Sequence, residues 1–360
     1  MGALKKIETY LVTSILDYIG AQKTLAIQLD ITNACNLRCG HCYHADHKNT
    51  GAIGLTEWIQ ILDQYEALLN KLYLKPSFIF CGGEPLISPY LLPLMSRINK
   101  RWPDVEVSIL TNGTKITEKL LVALSPYNVK FQISIDGPDA SRHDQVRGQG
   151  NFDKAVEGLK LAQSSGINTK VLTVLSQKTS HWIEDFFVMA RTLNLSAISF
   201  TRFIPQGAGS QLVEAGGDNA LEGFELKKAL EKIIQTSKDY KIKTGTNQPL
   251  YNLIDKSYGA HGHFGFQGLV VDYQGNLKVS SRADFKLGNI LEDGLEPLFL
   301  KHPVMKDLRK GNIESCGKCP HYKNCGGDRN ISFANTGSFL KADNGCWLHL
   351  EQKNKEGKTG

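Results

Sequence analysis

The sequence predicts an α/β protein built on a parallel sheet, and three observations carry that prediction. Between residues 25 and 205 short β-type runs alternate with stretches of helical periodicity, six times over. Each return to a parallel strand needs a crossover, and the helical stretches supply one. Every chemically distinctive motif in this half also falls at the carboxyl end of a β-run, where sheets of this type place their sites.

The first run, "LAIQLDI", alternates Leu25, Ile27, Leu29 and Ile31 and stops just before a cysteine-rich loop. The spacing of Trp58, Ile61, Leu62, Tyr65 and Leu69 predicts a helix, with Thr56 as its N-cap. "SFIFCGGEP" precedes a helix near 89–101, "VEVSILTNGT" one near 117–125, and "VKFQISIDG" one near 153–165. "INTKVLTVLS" precedes a helix near 182–193, and "LSAISFTRFIP" closes the series. The Gly-rich stretch near 205–220 reads as a linker, followed by a helix near 221–238. Beyond it "GLVVDYQGNLKVSS" predicts a hairpin turning at Gln274-Gly275. At the N-terminus, residues 1–24 predict an amphipathic helix carrying Leu11, Ile15 and Ile19 on one side.

Composition excludes several classes. With 360 residues, 41% hydrophobic and 22% charged, the chain has the profile of a globular protein with a large core. No apolar run approaches the roughly 20 residues of a membrane span, and no signal peptide is legible. The net charge of +6 is scattered, without the basic stripe and interleaved aromatics of a nucleic-acid binder. The tail 351–360 reads as disordered. C-x2-C spacings without a signal peptide point to metal ligation in a reducing, cytoplasmic setting rather than to disulfides.

"NACNLRCGHCYH" supplies three thiols, Cys35, Cys39 and Cys42. Iron–sulfur cubanes normally take four, so such a loop leaves one iron open; a zinc ion completed by His41, His44 or His47 is the alternative. Cys35-x3-Cys39-x2-Cys42 after a first strand resembles the signature of the radical S-adenosylmethionine (SAM) enzymes. The resemblance implies that SAM chelates the open iron and is cleaved to a 5′-deoxyadenosyl radical, which removes a substrate hydrogen atom. "CGGEP" resembles the superfamily's GGEP motif, which implies that Gly82, Gly83 and Glu84 hold the SAM amino group. In "ISIDG" and "RHDQVRGQG" the resemblance gives Ser134 and Arg147 to the SAM carboxylate, with Asp136 at the same strand end and His41 near adenine. "TNG" (Thr111–Gly113) and "TRFIPQG" (Thr201–Gly207) fall at matching ends and read as turns.

Cys316-x2-Cys319-x5-Cys325 and the later Cys346 resemble the SPASM extension, which carries auxiliary [4Fe–4S] clusters. The chain departs from the two-cluster pattern: His261, Gly262 and His263, Ser280 and Arg329 occupy positions where cysteines are expected. That leaves one complete four-cysteine set, for a second [4Fe–4S] cluster or a zinc ion. Cys81 belongs to neither set and reads as a buried strand-end residue or as a hydrogen-atom donor to a substrate radical.

The resemblance implies a partial (β/α)6 TIM-like barrel over 25–210, a linker and helix over 211–245, and a small SPASM/twitch-like iron–sulfur extension over 246–350. The implied function is modification of a peptide or protein by oxidation, cross-linking or epimerisation. The alternatives are dehydrogenation or epimerisation of a sugar or aminoglycoside, and a non-catalytic scaffold. Implied partners are a flavodoxin or ferredoxin reductant and, since only about 24 residues precede the first strand, a separate leader-peptide-binding protein.

Overall fold

The computed structural model describes residues 24–356 apart from 45, 246, 247, 260–263 and 267. The expected N-terminal helix, His261 and His263 therefore lie outside the described residues.

Six parallel strands form the predicted series: β1 (Thr24–Asp30), β2 (Lys75–Cys81), β3 (Val107–Thr111), β4 (Val129–Ser134), β5 (Asn168–Leu175) and β6 (Ala197–Arg202). The crossovers are α1 (Leu55–Leu72), α2 (Leu91–Arg101), α3 (Glu118–Leu124), α4 (Ala140–Arg147), α5 (Asn151–Ser164) and α6 (Ile183–Thr192). α1 starts before Thr56: Gly54 is its N-cap, and the Glu57 carboxylate accepts from the Gly54 amide at 3.1 Å. α4 was not legible as a helix, because its polar "ASRHDQVR" has no apolar stripe; the Asp139 N-cap starts it by accepting from the Arg142 amide at 2.9 Å.

The sheet does not stop at β6. β7 (Lys243–Thr244) adds in parallel to β6, and β8 (Gly268–Val271) adds in parallel to β1. The predicted hairpin follows as β8, β9 (Asn276–Lys278) and β10 (Lys286–Asn289), turning over Asp272–Gly275 with the Asp272 carboxylate capping the turn. The order is β10-β9-β8-β1-β2-β3-β4-β5-β6-β7, an open sheet whose two ends do not pair, hence a partial barrel. The C-terminal extension thus continues the sheet of the core instead of standing apart from it.

The stretch expected as a linker contains α7 (Ala208–Glu214), after which α8 (Gly223–Tyr240) packs on α6. α9 (Ile290–Asp293), α10 (Leu295–Lys301), α11 (Pro303–Lys310) and α12 (Arg329–Thr336) lead to α13 (Trp347–Glu356). α13 therefore runs into the segment expected as a disordered tail, because Trp347 is buried and anchors its first turn.

Strand alternation decides what the barrel contains. On β4, Val129, Phe131 and Ile133 are buried under the helices, whereas Lys130, Gln132 and Ser134 face inward. On β2, Phe78 and Phe80 pack outward, Tyr65 of α1 meeting the Phe78 ring edge-on at 5.5 Å. The core is therefore the layer between sheet and helices, and the lumen is a cavity of about 800 Å³.

Candidate active site

The cysteine loop leaves β1 and is closed at its base by Asn49. The Asn49 side-chain oxygen accepts from the Asn33 amide at 2.7 Å and the Ala34 amide at 3.0 Å. Buried Asn33 donates to Asp46 Oδ1 at 2.9 Å and to the Lys48 carbonyl at 2.9 Å. Neither asparagine was singled out from the sequence, since nothing local marks a residue that closes a loop sixteen positions away.

Three neighbouring segments hold the loop in place. The Gly40 amide donates to the Val146 carbonyl at the end of α4 at 3.0 Å, and the Gly209 amide of α7 donates to the Cys42 carbonyl at 3.1 Å. Gly207 has φ +58°, and a Cβ there would lie 2.5 Å from the Tyr43 carbonyl oxygen. The supposed linker is thus one wall of the loop.

Gly82 and Gly83 form the third contact. A Cβ on Gly82 would stand 2.2 Å from the Thr32 carbonyl oxygen, and one on Gly83 2.2 Å from that of Ala34. The Gly83 amide donates to the Thr32 carbonyl at 2.8 Å and the Glu84 amide to that of Ala34 at 2.9 Å. The glycines line the cavity, and their close approach is to the entry of the cysteine loop.

Glu84 lies behind that wall, fully buried. Its carboxylate accepts from Thr111 Oγ1 at 2.7 Å, the Asn112 amide at 2.8 Å and the Leu86 amide at 3.1 Å. Burial pushes its pKa up, against those hydrogen bonds. Three of its roughly four acceptor positions are used, so it ties the ends of β2 and β3 together. "TNG" is accordingly more than a turn: Asn112 Nδ2 also donates to Asn36 Oδ1 at 3.0 Å within the cysteine loop and lies 4.0 Å from Cys35 Sγ.

Cys35, Cys39 and Cys42 all line the cavity. Burial raises each thiol, that of Cys42 to about 11, and the three thiolates would repel one another. Such a set is ionised only around a cationic group, and soft thiolates suit an iron–sulfur cluster. No group of three His, Cys, Asp or Glu side chains among the described residues is gathered to hold a single metal ion. His41 lines the cavity and directs Nε2 at Asp136 Oδ2, 3.2 Å away.

Asp136 is the hub of the opposite wall. Its Oδ2 accepts from Arg147 Nε at 2.5 Å and its Oδ1 from the Val174 amide at 2.7 Å. Despite the opposing cost of burial, the Arg147 and His41 side chains hold its carboxyl far below the usual range. Arg147 lines the cavity with Nη1 3.9 Å from Cys39 Sγ, and Ser134 lines it one strand end away. Asp136 itself is not on the cavity surface; it aims Arg147.

Cys81 is level with Asp30 across β1 and β2, and its Sγ lies 3.9 Å from the Tyr43 hydroxyl. Burial, with Asp30 beside it, pushes the thiol well up, so it stays protonated. Asp30 is itself raised by burial to about 6. Deeper in the lumen Lys130 and Lys170 line the cavity, which no Asp or Glu lines among the described residues.

Residues 29–189 match the model of the radical SAM superfamily, a span running from the end of β1 into α6. Over these residues the chain is similar to the radical SAM superfamily. It is 22% identical to the AdoMet-dependent heme synthase of Oleidesulfovibrio alaskensis, over 93% of this chain and 90% of that one. It is 26% identical to the mycofactocin maturase MftC of Mycobacterium tuberculosis, over 86% of this chain and 78% of that one. The crystal structure of Streptococcus suis SuiB bound to its precursor peptide SuiA superposes with a TM-score of 0.69 at 15% identity, covering 92% of this chain and 78% of that one. The radical SAM family implies SAM and one [4Fe–4S] cluster, and the three cavity-facing thiols beside Arg147 fit that pair. No helix among the described residues is long and apolar enough to cross a membrane.

Three of the C-terminal cysteines also come together. Cys316, Cys325 and Cys346 lie within electrostatic range of one another, and Cys319 follows Cys316 by one 3-10 turn. Cys346 precedes α13; burial pushes its thiol up to about 11, and the Leu348 and His349 amides act against that. A buried ion pair ties this region to the barrel: Arg202, at the end of β6, donates to Asp343 at 3.0 Å and lies 3.6 Å from Asp328.

Proposed function

We propose that this chain is a SPASM-type radical SAM enzyme that modifies a peptide. The observation that carries the reading is the lumen of about 800 Å³, with the cysteine loop and Arg147 at one end and an unclosed sheet around it. An extended peptide segment can enter such an open-sided cavity, and the likeness to MftC and to peptide-bound SuiB supports it. A SAM-chelating [4Fe–4S] cluster bound there would supply the electron for reductive cleavage of SAM and so for removal of a substrate hydrogen atom. Cys35, Cys39 and Cys42 hold the cluster. Arg147, aimed by Asp136, and Ser134 receive the SAM carboxylate, which suits a guanidinium and a hydroxyl. The backbone of Gly82 and Gly83, braced by Glu84, borders the SAM amino group, and His41 completes the wall. Cys316, Cys319, Cys325 and Cys346 hold a second [4Fe–4S] cluster, closed to exchangeable ligands because all four positions are cysteine. Where the product is an epimer, the protonated Cys81 thiol is the hydrogen-atom donor. The reductant is of the flavodoxin or ferredoxin kind, and a separate protein presents the leader peptide.

A sugar or aminoglycoside substrate is the alternative reading, which the peptide-modifying relatives do not favour. Anaerobic turnover of candidate precursor peptides in deuterated water separates the outcomes. Gain of one deuterium marks epimerisation, loss of two hydrogens marks oxidation or cross-linking, and no mass change across peptides that stimulate no SAM cleavage rejects the peptide reading.

A further inference from the structure

Arg329 is fully buried, at the start of α12. Its Nη1 donates to the Phe339 carbonyl at 2.9 Å and the Lys341 carbonyl at 2.6 Å, and Nε reaches the Gly327 carbonyl at 3.5 Å. Its Nη2 donates to Cys316 Sγ at 3.3 Å. Among the described residues no carboxylate lies within ion-pair distance of it, whereas buried Arg202 has Asp328 and Asp343. Taking a guanidinium out of water is costly unless a negative charge meets it. The one group beside Arg329 that can carry negative charge by ligating a metal centre is the Cys316 sulfur. The backbone is shaped around this contact: a Cβ on Gly327, at φ +72°, would stand 2.3 Å from Arg329 Nη2 and 2.9 Å from Cys316 Sγ.

We infer that Arg329 is the counter-charge of the C-terminal cluster and raises its reduction potential. The inference rests on the proposal that the four cysteines hold a [4Fe–4S] cluster. A four-thiolate cubane carries net negative charge that grows by one on reduction, so a fixed cation on a ligand sulfur stabilises the reduced state more. Hydrogen bonds to the sulfurs act in the same direction, and here the guanidinium donates one to Cys316 Sγ. Arg329 stands where the two-cluster pattern expects a cysteine, so a position read above only as a lost ligand acquires a role at the cluster that remains.

The test compares the reconstituted full chain with Arg329→Gln and Arg329→Lys, by iron and sulfide content and by redox titration followed by electron paramagnetic resonance. Added SAM perturbs only the signal of the N-terminal cluster, so the SAM-insensitive signal reports the C-terminal one. About eight irons are expected in all three proteins. In Arg329→Gln the SAM-insensitive midpoint falls by at least tenfold in the reduction equilibrium, about 59 mV for one electron, and Arg329→Lys restores at least half of that. An iron-replete Arg329→Gln with an unmoved midpoint overturns the inference. If Arg329→Gln loses the four irons, retention by Arg329→Lys still assigns the role to charge, and equal loss by both overturns it. A wild-type protein with about four irons and only a SAM-sensitive signal instead refutes the second cluster itself.

Discussion

Asp136 grips Arg147 through Nε at 2.5 Å, leaving Nη1 of the same guanidinium 3.9 Å from Cys39 Sγ. One carboxylate thereby fixes where the cationic group stands relative to the thiol, and His41 and the Val174 amide fix the carboxylate in turn. Asp136→Asn removes the charge while keeping the shape. Misplacing a positioning group by about 1 Å costs on the order of 100-fold. A drop of that order in 5′-deoxyadenosine formation is expected at unchanged iron content, measured chromatographically under reducing, anaerobic conditions.

Asp30 gives a pH dependence of defined sign. Burial raises its folded-state pKa from 3.8 to about 6, so the folded chain binds the proton more tightly than the unfolded one. The Asp30 contribution to stability is therefore fully present below about pH 4 and is lost as pH rises through about 6, by about 3 kcal/mol in total. Asp30→Asn removes that loss. Urea denaturation from pH 5 to pH 8 should show the wild type weakening relative to the variant, and parallel curves would contradict the assignment.

Gly83→Ala tests the contact between the "CGGEP" turn and the cysteine loop. The new methyl would meet the Ala34 and Asn33 carbonyl oxygens at 2.2 and 2.5 Å, and backbone cannot give way as a flexible side chain would. The loop must shift. Iron bound by Cys35, Cys39 and Cys42 should fall severalfold after reconstitution.

Thr111→Val deletes one of the three donors to Glu84. A buried carboxylate that loses a hydrogen bond costs about 1–3 kcal/mol, measured as a lower denaturation midpoint. Its pKa, already raised by burial, should rise further.

Arg202→Met leaves Asp328 and Asp343 buried without their cation. Breaking such a pair costs about 3–5 kcal/mol, and the loss should appear first where barrel and extension meet. Faster amide exchange around 328–346 than in β2–β4 is the expected pattern.

Much of this architecture was legible because local periodicity and motif position agree. The alternation of "LAIQLDI" and the motifs at strand ends gave both the parallel sheet and the loop that faces its lumen. What escaped depended on partners distant in sequence. The role of Asn49 follows from where residues 32–34 return, and that of Gly207 from the passage of Tyr43 and His44 beside it. Glu84 and Asp136 were read as groups near the cofactor, yet both spend their oxygens on the protein, since buried carboxylates need donors wherever they sit. The pairing of β8 with β1 joins segments over two hundred residues apart, which no short pattern announces.

The central claim is that the place left open by Cys35, Cys39 and Cys42 belongs to SAM. Reduced, iron-loaded protein incubated anaerobically with SAM measures it most directly, with 5′-deoxyadenosine quantified beside a Cys39→Ala variant. The account predicts its formation by the wild type and none above background by the variant. An iron-replete wild type that forms no 5′-deoxyadenosine, or a variant that forms as much, would contradict it.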